Sequence, residues 1–295
     1  MNYASAEYAA SDLVAQARSR LHSSVYEVTV LLGRGRQADV FMVKHRVLGK
    51  GFALKMLRPH SQGTESLLRF KREARALGRL ASPHVVQVVD FDQTPDGHSY
   101  LVTELLRGET LGQFLKRRGA LSITETLAII RQALRGLSDA HQVGLLHRDL
   151  SPENVFLCEV ADHPLWVKLF DFGLGHFSES FGTDHALTKT GTVMGSPLYC
   201  SPEALRGERL DERADVFGMG LIVYECITGK TPLEWDPQNP PRLASRRLDD
   251  ILSRATHSEK CQRFDSALSF LRELQFFEEV AAGQEQHLVT KEHRQ

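Results

Sequence analysis

His147-Arg148-Asp149-Leu150-Ser151-Pro152-Glu153-Asn154 is the stretch whose reading decides the fold. Leu137, Ala140, Val143, Leu145 and Leu146 before it predict a buried helix end and turn, and Val155-Phe156-Leu157 after it a buried strand. Between them stand an aspartate and, five residues on, an asparagine. That spacing lets one side chain face a substrate hydroxyl while the other faces a metal ion. Pro152 fixes its own φ and keeps the loop from continuing as helix. Taken alone, the stretch also reads as a solvated polar turn, so the flanking chain has to decide.

Upstream, Val28-Thr29-Val30-Leu31-Leu32 leads into Gly33-Arg34-Gly35-Arg36-Gln37-Ala38 and then Asp39-Val40-Phe41-Met42-Val43. This is strand, glycine turn, strand. Glycines let backbone N–H groups approach phosphates because no Cβ stands in the way. The turn is not a dinucleotide fingerprint, since a strand follows it, and it lacks the Gly-Lys-Ser/Thr of a Walker A loop. Next, Phe52-Ala53-Leu54-Lys55-Met56-Leu57 sets a lysine inside an apolar strand, which is costly unless its charge finds a partner such as a phosphate or a carboxylate, or snorkels out at a strand edge. A helix over about 65–80 offers the carboxylate: Glu73 lies beside its apolar stripe of Leu67, Phe70, Ala74, Leu77 and Leu80. Residues 85–89 and 100–104 predict two more strands joined by Thr94-Pro95-Asp96-Gly97, and Leu105 to Gly108 a connector.

Downstream the pattern turns helical, over about 110–117 and about 122–143, the second opened by the capping-box sequence Ser122-Ile123-Thr124-Glu125. Leu165–Phe170 predicts a strand that ends in Asp171-Phe172-Gly173, a metal ligand on a hinge. The Gly-, Ser- and Thr-rich residues 174–200 predict a long loop. Helices are expected at about 214–228 (apolar all round), 248–256 and 264–281, followed by a polar tail at 282–295. Leu13, Val14, Ala17 and Leu21 in the 1–24 extension keep helical spacing, which leaves open packing on the domain, docking of a partner or fraying.

Composition bounds the function. The chain of 295 residues, 42% hydrophobic and 25% charged, is ordinary for a soluble globular protein. Its formal charge of −1 speaks against nucleic acid or a membrane surface as a bulk electrostatic partner. Cys158, Cys200, Cys226 and Cys261 form no CxxC pair, so reduced cytoplasmic thiols are the expectation rather than a disulfide framework or a zinc site. No apolar run reaches membrane-span length, and the N-terminus lacks the basic start and apolar core of a secretory signal.

In this order and spacing the motifs of residues 25–281 resemble the eukaryotic-like protein kinase family, most of all bacterial Ser/Thr protein kinases. The resemblance implies an α+β, bilobal protein-kinase fold: a small β-rich N-lobe at 25–104 with one key helix, and a larger, mainly helical C-lobe at 108–281. It implies ATP and Mg2+ as cofactors and protein substrates as partners. Leu32 to Val40 (Leu32, Gly33, Arg34, Gly35, Arg36, Gln37, Ala38, Asp39, Val40) would cover the ATP phosphates. Lys55 would hold those phosphates and pair with Glu73. Ala53 with Val40 would roof the adenine, with Phe156 below. Glu104, Leu105 and Leu106 would present backbone to it, and Thr103 takes the gatekeeper place. Asp149 would accept the substrate hydroxyl proton, while Asn154 and Asp171 would hold magnesium. Glu203 would pair with Arg263, Asp215 would tie the buried helix to the catalytic loop, and Leu77, Val88, His147 and Phe172 would stack into a spine. Arg148 would receive a phosphothreonine at Thr188, Thr190 or Thr192, implying autophosphorylation in trans through a transient homodimer.

Departures from the pattern weigh on rate. Ser151 stands where Ser/Thr kinases usually carry a lysine that meets the transferring phosphate. Loss of one such electrostatic contact costs roughly 10²–10³ in rate unless replaced. Ala38 replaces the third loop glycine, Ser201 the alanine of the usual Ala-Pro-Glu, and the Pro-rich stretch between Gly229 and Leu248 is shorter than usual. Two rival readings stand beside the kinase: a pseudokinase that binds nucleotide without transferring phosphate, and a small-molecule phosphotransferase of related fold. The glycine turn and Ser196-Pro197-Leu198-Tyr199-Cys200-Ser201-Pro202-Glu203 speak against the second.

Overall fold

The computed structural model describes residues 3–22, 24–35, 38–58, 64–160, 163–172, 196–234 and 242–292. They form two compact units. The first takes the described residues up to Ser82 and Val86–Arg107; the second takes Pro83–Val85 and the described residues from Gly108 on.

The first unit runs α1 (Tyr3–Arg20), β1 (Tyr26–Arg34), β2 (Ala38–His45), β3 (Gly51–Leu57), α2 (Thr64–Arg79), β4 (Val88–Gln93) and β5 (Ser99–Glu104). Its five strands form one antiparallel sheet in the order β1-β2-β3-β5-β4. Successive side chains alternate between sheet faces, and register partners share one. Val40 opposite Lys55 and Ala53 opposite Thr103 therefore lie on one face. Phe41, Phe52, Leu54, Met56 and Val102 lie on the other, and all five are buried.

α1 packs on that second face. Ala17 and Leu21 keep 1% and 2% of their surface exposed and share a core with Val28, Phe41 and Val43. Arg18 Nε donates to Val28 O at 2.9 Å. The helical spacing of residues 1–24 thus marks a helix that belongs to the domain rather than a frayed extension. Burying a leucine such as Leu21 stabilises by roughly 1.5–3 kcal/mol. The strand expected at 85–89 sits later, at Val88–Gln93. Pairing with β5 sets it, while Val85 forms a lone parallel bridge to Leu169 within the second unit.

The second unit runs β6 (Gly108–Thr110), α3 (Leu111–Arg118), α4 (Ile123–Gln142), β7 (Val155–Val160), β8 (His163–Leu169), the one-turn α5 (Pro202–Leu205), α6 (Glu212–Thr228), α7 (Arg246–Ala255) and α8 (Ala267–Glu292). The strands make a small sheet, β6-β7-β8. The capping box forms at the start of α4: Ser122 Oγ accepts from Glu125 N at 3.2 Å, and the Glu125 carboxylate accepts from Ser122 N at 3.1 Å. α6 is buried along nearly its whole length, with Val216, Met219, Ile222 and Val223 sealed between α4, α7 and α8. This is the all-round apolar helix that the sequence predicts. Gly218 lets it press on the catalytic loop, since a Cβ there would lie 3.2 Å from both Leu150 Cβ and Tyr199 O.

α8 departs from expectation at both ends. Ser266 Oγ accepts from Ser269 N at 3.2 Å, which caps the helix and delays its start to Ala267. The stretch read as a polar tail continues as helix to Glu292, being rich in the helix formers Glu, Gln and Lys. In the shortened segment after Gly229, residues 230–234 and 242–245 hold no helix, and 235–241 lie outside the described residues. The architecture is an α+β arrangement, one unit β-rich and the other mainly helical.

Candidate active site

The stretch His147–Asn154 hangs from one buried carboxylate. Asp215, on the first turn of α6 and 2% exposed, accepts from His147 N at 2.8 Å and Arg148 N at 2.9 Å. It also accepts from His141 Nε2, at the end of α4, at 2.8 Å. Burial works to raise this carboxyl, but the His141 bond and charge, with the His147 amide, hold it below the usual carboxylate range. Arg148 takes a left-handed backbone at φ 64, and Asp171 does so at φ 60. Such a conformation costs a non-glycine residue on the order of 1–3 kcal/mol and persists only where its surroundings over-determine it. At Arg148 the Asp215 bond to its amide supplies that constraint.

His147 is fully buried beneath the loop. Its ring packs on Phe172 at a tilt of 36° with centroids 4.5 Å apart, and Nε2 donates to Phe170 O at 3.1 Å. A carbonyl can only accept, so Nε2 carries the proton. Burial pushes the imidazole below its ordinary range against the pull of Asp215, Asp149 and Asp171, so the ring is neutral at pH 7. It acts as a post between the loop and the segment carrying Asp171.

The loop then closes on itself. Asn154 Nδ2 donates to Asp149 O at 2.6 Å, and Asn154 N to Ser151 O at 3.0 Å, within the 3-10 turn Pro152–Asn154. Asn154 O accepts from Phe170 N at 3.2 Å, joining the loop to the end of β8 just before Asp171. Asp149, Ser151 and Asn154 line one cavity of about 510 Å³ with Leu198, Tyr199 and Glu225. Ser151, 5% exposed, sits in its wall two residues from Asp149. Tyr199 donates its hydroxyl to the Glu225 carboxylate. Burial raises Glu225 to about 6. All four cysteines are free, and burial, followed by the charge of Asp149, pushes the Cys200 thiol up to about 11. Cys200 is therefore protonated at neutral pH.

A second buried pair braces the helical unit. Arg263 donates to both oxygens of Glu203, at 2.6 and 2.8 Å, and to the carbonyls of His257, Ser258 and Arg213, so its whole donor fork is engaged. Burial alone would raise the Glu203 carboxyl, but the Arg263 bonds more than offset this and hold it low.

Most of the remaining sequence-predicted residues fall in the first unit. Gly33, Arg34, Ala38, Asp39 and Val40 stand on the β1–β2 hairpin, closed by Gly35 N donating to Ala38 O at 2.9 Å. A Cβ on Gly35 would come within 3.2 Å of that carbonyl, so the close turn favours glycine. Leu32 sits at a bulge between the pairs Leu31–Phe41 and Gly33–Val40 and is half exposed. Lys55 is half-buried on β3 between Val40 and Leu101, and Glu73 half-buried on α2 beside Ala74. Thr103 faces the same way as Ala53. The Glu104 carboxylate accepts from Gln87 N at 2.8 Å, its amide donates to Gln87 O at 3.0 Å, and its carbonyl accepts from Thr103 Oγ1 at 3.2 Å. In the second unit, Phe156 meets Phe170 edge-on at 5.9 Å. Arg36, Gln37, Thr188, Thr190 and Thr192 lie outside the described residues. His141 carries a role that the sequence reading did not assign; its one signal is its place four residues after Leu137, on the buried stripe of α4.

Among the described residues no helix is long and apolar enough to cross a membrane. Residues 26–277 match the family model for the protein kinase domain. The chain is 37% identical to the serine/threonine-protein kinase pkn3 of Myxococcus xanthus, over 85% of this chain and 49% of that one. It is 38% identical to the serine/threonine-protein kinase PknL of Mycobacterium tuberculosis, over 81% and 57%. The chain thus spans about half the length of the curated relatives it matches. The crystal structure of the Mycobacterium tuberculosis PknI kinase domain superposes with a TM-score of 0.69 at 30% identity, covering 85% of this chain and 96% of that one. The family match across most of the chain, these relatives and the loop hung from Asp215 agree: the chain belongs to the protein kinase domain family.

Proposed function

We propose that the chain is an ATP- and magnesium-dependent Ser/Thr protein kinase of the cytoplasm. The observation that carries this reading is the single loop joining Asp149 to Asn154, clamped by Asp215 and lining one cavity. In it Asp149 accepts the proton of a substrate hydroxyl as that oxygen attacks the γ-phosphate. Phosphoryl transfer asks chiefly for positioning and charge neutralisation. Lys55, supported by Glu73, holds the phosphates. The hairpin from Leu32 to Val40 covers them, and Ala53, Thr103, Glu104, Leu106 and Phe156 surround the adenine.

The donor set at the loop fits magnesium. Asp171 offers a carboxylate and Asn154 an amide oxygen, both hard ligands. The bond from Asn154 Nδ2 to Asp149 O turns that amide oxygen away from the loop backbone. When bound, magnesium supplies charge neutralisation at the phosphates. Arg148 would bind a phosphothreonine at Thr188, Thr190 or Thr192 of the same chain, the phosphate being placed there by a second copy in a transient homodimer, which makes autophosphorylation the means of activation.

Ser151 favours a second reading, a pseudokinase, because it puts a hydroxyl in the cavity wall where the family carries a cation. Radiolabelled ATP and a generic protein substrate, tested with Asp149→Asn and Lys55→Met beside the parent chain, separate the two. Transfer to serine and threonine that both substitutions abolish supports the kinase. Nucleotide binding without transfer supports the pseudokinase.

A further inference from the structure

Behind the glycine hairpin, on the sheet face opposite Lys55, lies a cavity that the kinase reading leaves unused. It measures about 310 Å³ and opens between α1 and the sheet. That is the lower end of the roughly 300–1,000 Å³ of small-molecule sites. Its floor is apolar, made by Leu13, Ala17, Phe41, Met56 and Leu57. Its rim is basic: Arg20 from α1, Arg34 from β1 and Arg58 beyond β3 converge on it. Three guanidiniums meet two carboxylates there. Asp39 binds Arg58 at 2.6 Å and stands 3.7 Å from Arg34, while Asp96 binds Arg20 at 3.2 Å. Among the described residues one positive charge is left in surplus.

His98 supplies the second observation. It lines the same cavity and is 9% exposed. Its Nδ1 stands 3.1 Å from Asp96 Oδ2 without making a hydrogen bond to it, and Nε2 likewise makes none to any described residue. A buried ring nitrogen without a partner is costly, and native structures rarely leave one unsatisfied. At this place it marks where a ligand oxygen would sit.

We propose that this cavity binds a small organic anion with a flat apolar body, of the aryl phosphate or aryl carboxylate class. The body rests on Leu13, Ala17 and Phe41, and the anionic oxygens meet the arginine rim and His98. The site reaches the glycine hairpin directly. Arg34 and Asp39 are cross-strand partners at the turn end of β1 and β2, one step outside the Gly35–Ala38 closure. An anion bound to Arg34 competes with Asp39 for it, so binding is read at the Gly35 amide as well as at the His98 ring.

The test titrates the full chain with phenyl phosphate, inorganic phosphate and benzyl alcohol separately, following the His98 ring and Gly35 amide by NMR. The proposal expects saturable shifts at both positions with phenyl phosphate, and the His98 shift persists in the presence of a saturating non-hydrolysable ATP analogue. Inorganic phosphate and benzyl alcohol should each bind about tenfold more weakly or worse, since each forfeits one kind of contact. Arg20→Gln, at the solvent-facing rim, should weaken phenyl phosphate by about tenfold. Leu13→Trp, which fills the floor from a partly exposed position, should do the same, and melting curves will show both variants folded. Shifts absent from the parent chain, a His98 shift abolished by the ATP analogue, or affinity unchanged in both variants would overturn the site. Inorganic phosphate binding as tightly as phenyl phosphate would overturn the assignment to an aryl anion.

Discussion

Removing the Asp215 carboxylate is the sharpest perturbation of the catalytic loop. Asp215→Ala takes the acceptor from three donors at once: His147 N at 2.8 Å, Arg148 N at 2.9 Å and His141 Nε2 at 2.8 Å. A buried donor left unsatisfied costs about 1–3 kcal/mol, so the intact loop would carry roughly 3 kcal/mol at the least. The left-handed Arg148 backbone, held through its amide, adds on the order of 1 kcal/mol more. The loop can escape most of this by opening to water, so the cost falls on local opening rather than on the whole helical unit. An increment of about 3 kcal/mol raises the open fraction by about a hundredfold. Hydrogen exchange resolved to residues 141–154 should therefore speed up by about two orders of magnitude in Asp215→Ala, while α7 and the interior of α8 keep their protection. Asp215→Asn retains one acceptor oxygen and should fall between. Unchanged exchange at His147 and Arg148 in the alanine variant would refute the claim that this carboxylate holds the loop.

Four further outcomes are expected. Arg263→Met strands the Glu203 carboxylate in the interior and should cost about 3–5 kcal/mol in urea unfolding, with a substantial part regained in Arg263→Met/Glu203→Gln. Because Glu203 and Asp215 are held below their ordinary range, their contribution is complete at neutral pH and is lost as pH falls through the acid carboxylate range, which melting curves below pH 4.5 will show. Glu225 runs the other way: burial raises it from 4.5 to about 6, so the folded state favours its protonated form and stability drains away as pH rises between those values. Glu225→Gln should therefore be more stable than the parent at pH 7, by up to about 2 kcal/mol, with the gap closing below pH 4.5. Ser151→Lys should raise phosphoryl transfer by roughly tenfold or more if the missing cation limits the rate. A rate unchanged by that substitution means that another group already fills the role.

The catalytic loop and its neighbours were legible because their signals are local. Alternation of Phe52, Leu54 and Met56 with Ala53 and Lys55 assigns the two faces of β3, and the register bears it out. Ser122 and Glu125 announce the start of α4 by a capping chemistry that needs only four residues. What stayed hidden depends on residues far apart in the chain. Nothing near Ala17 and Leu21 says that Phe41 and Val43 will need a cover, so the docking of α1 could not be read. The β-branched run from Val85 to Val89 suits a strand anywhere along it, and pairing of Val88 with Thr103 chooses the register. His141 looks like one more residue on a buried stripe until α6 brings Asp215 to 2.8 Å from it. The cavity rimmed by Arg20, Arg34 and Arg58 joins three stretches of chain and leaves no mark in any of them.

The central claim is that Asp149 receives the proton of a protein hydroxyl during transfer from ATP. Single-turnover transfer of labelled phosphate to a protein substrate, measured in the parent chain and in Asp149→Asn alongside nucleotide affinity, tests it most directly. The account predicts serine and threonine labelling by the parent chain, a loss of about 10²–10⁴ in the transfer rate on substitution, and unchanged ATP affinity. Transfer by Asp149→Asn at the parent rate would contradict it.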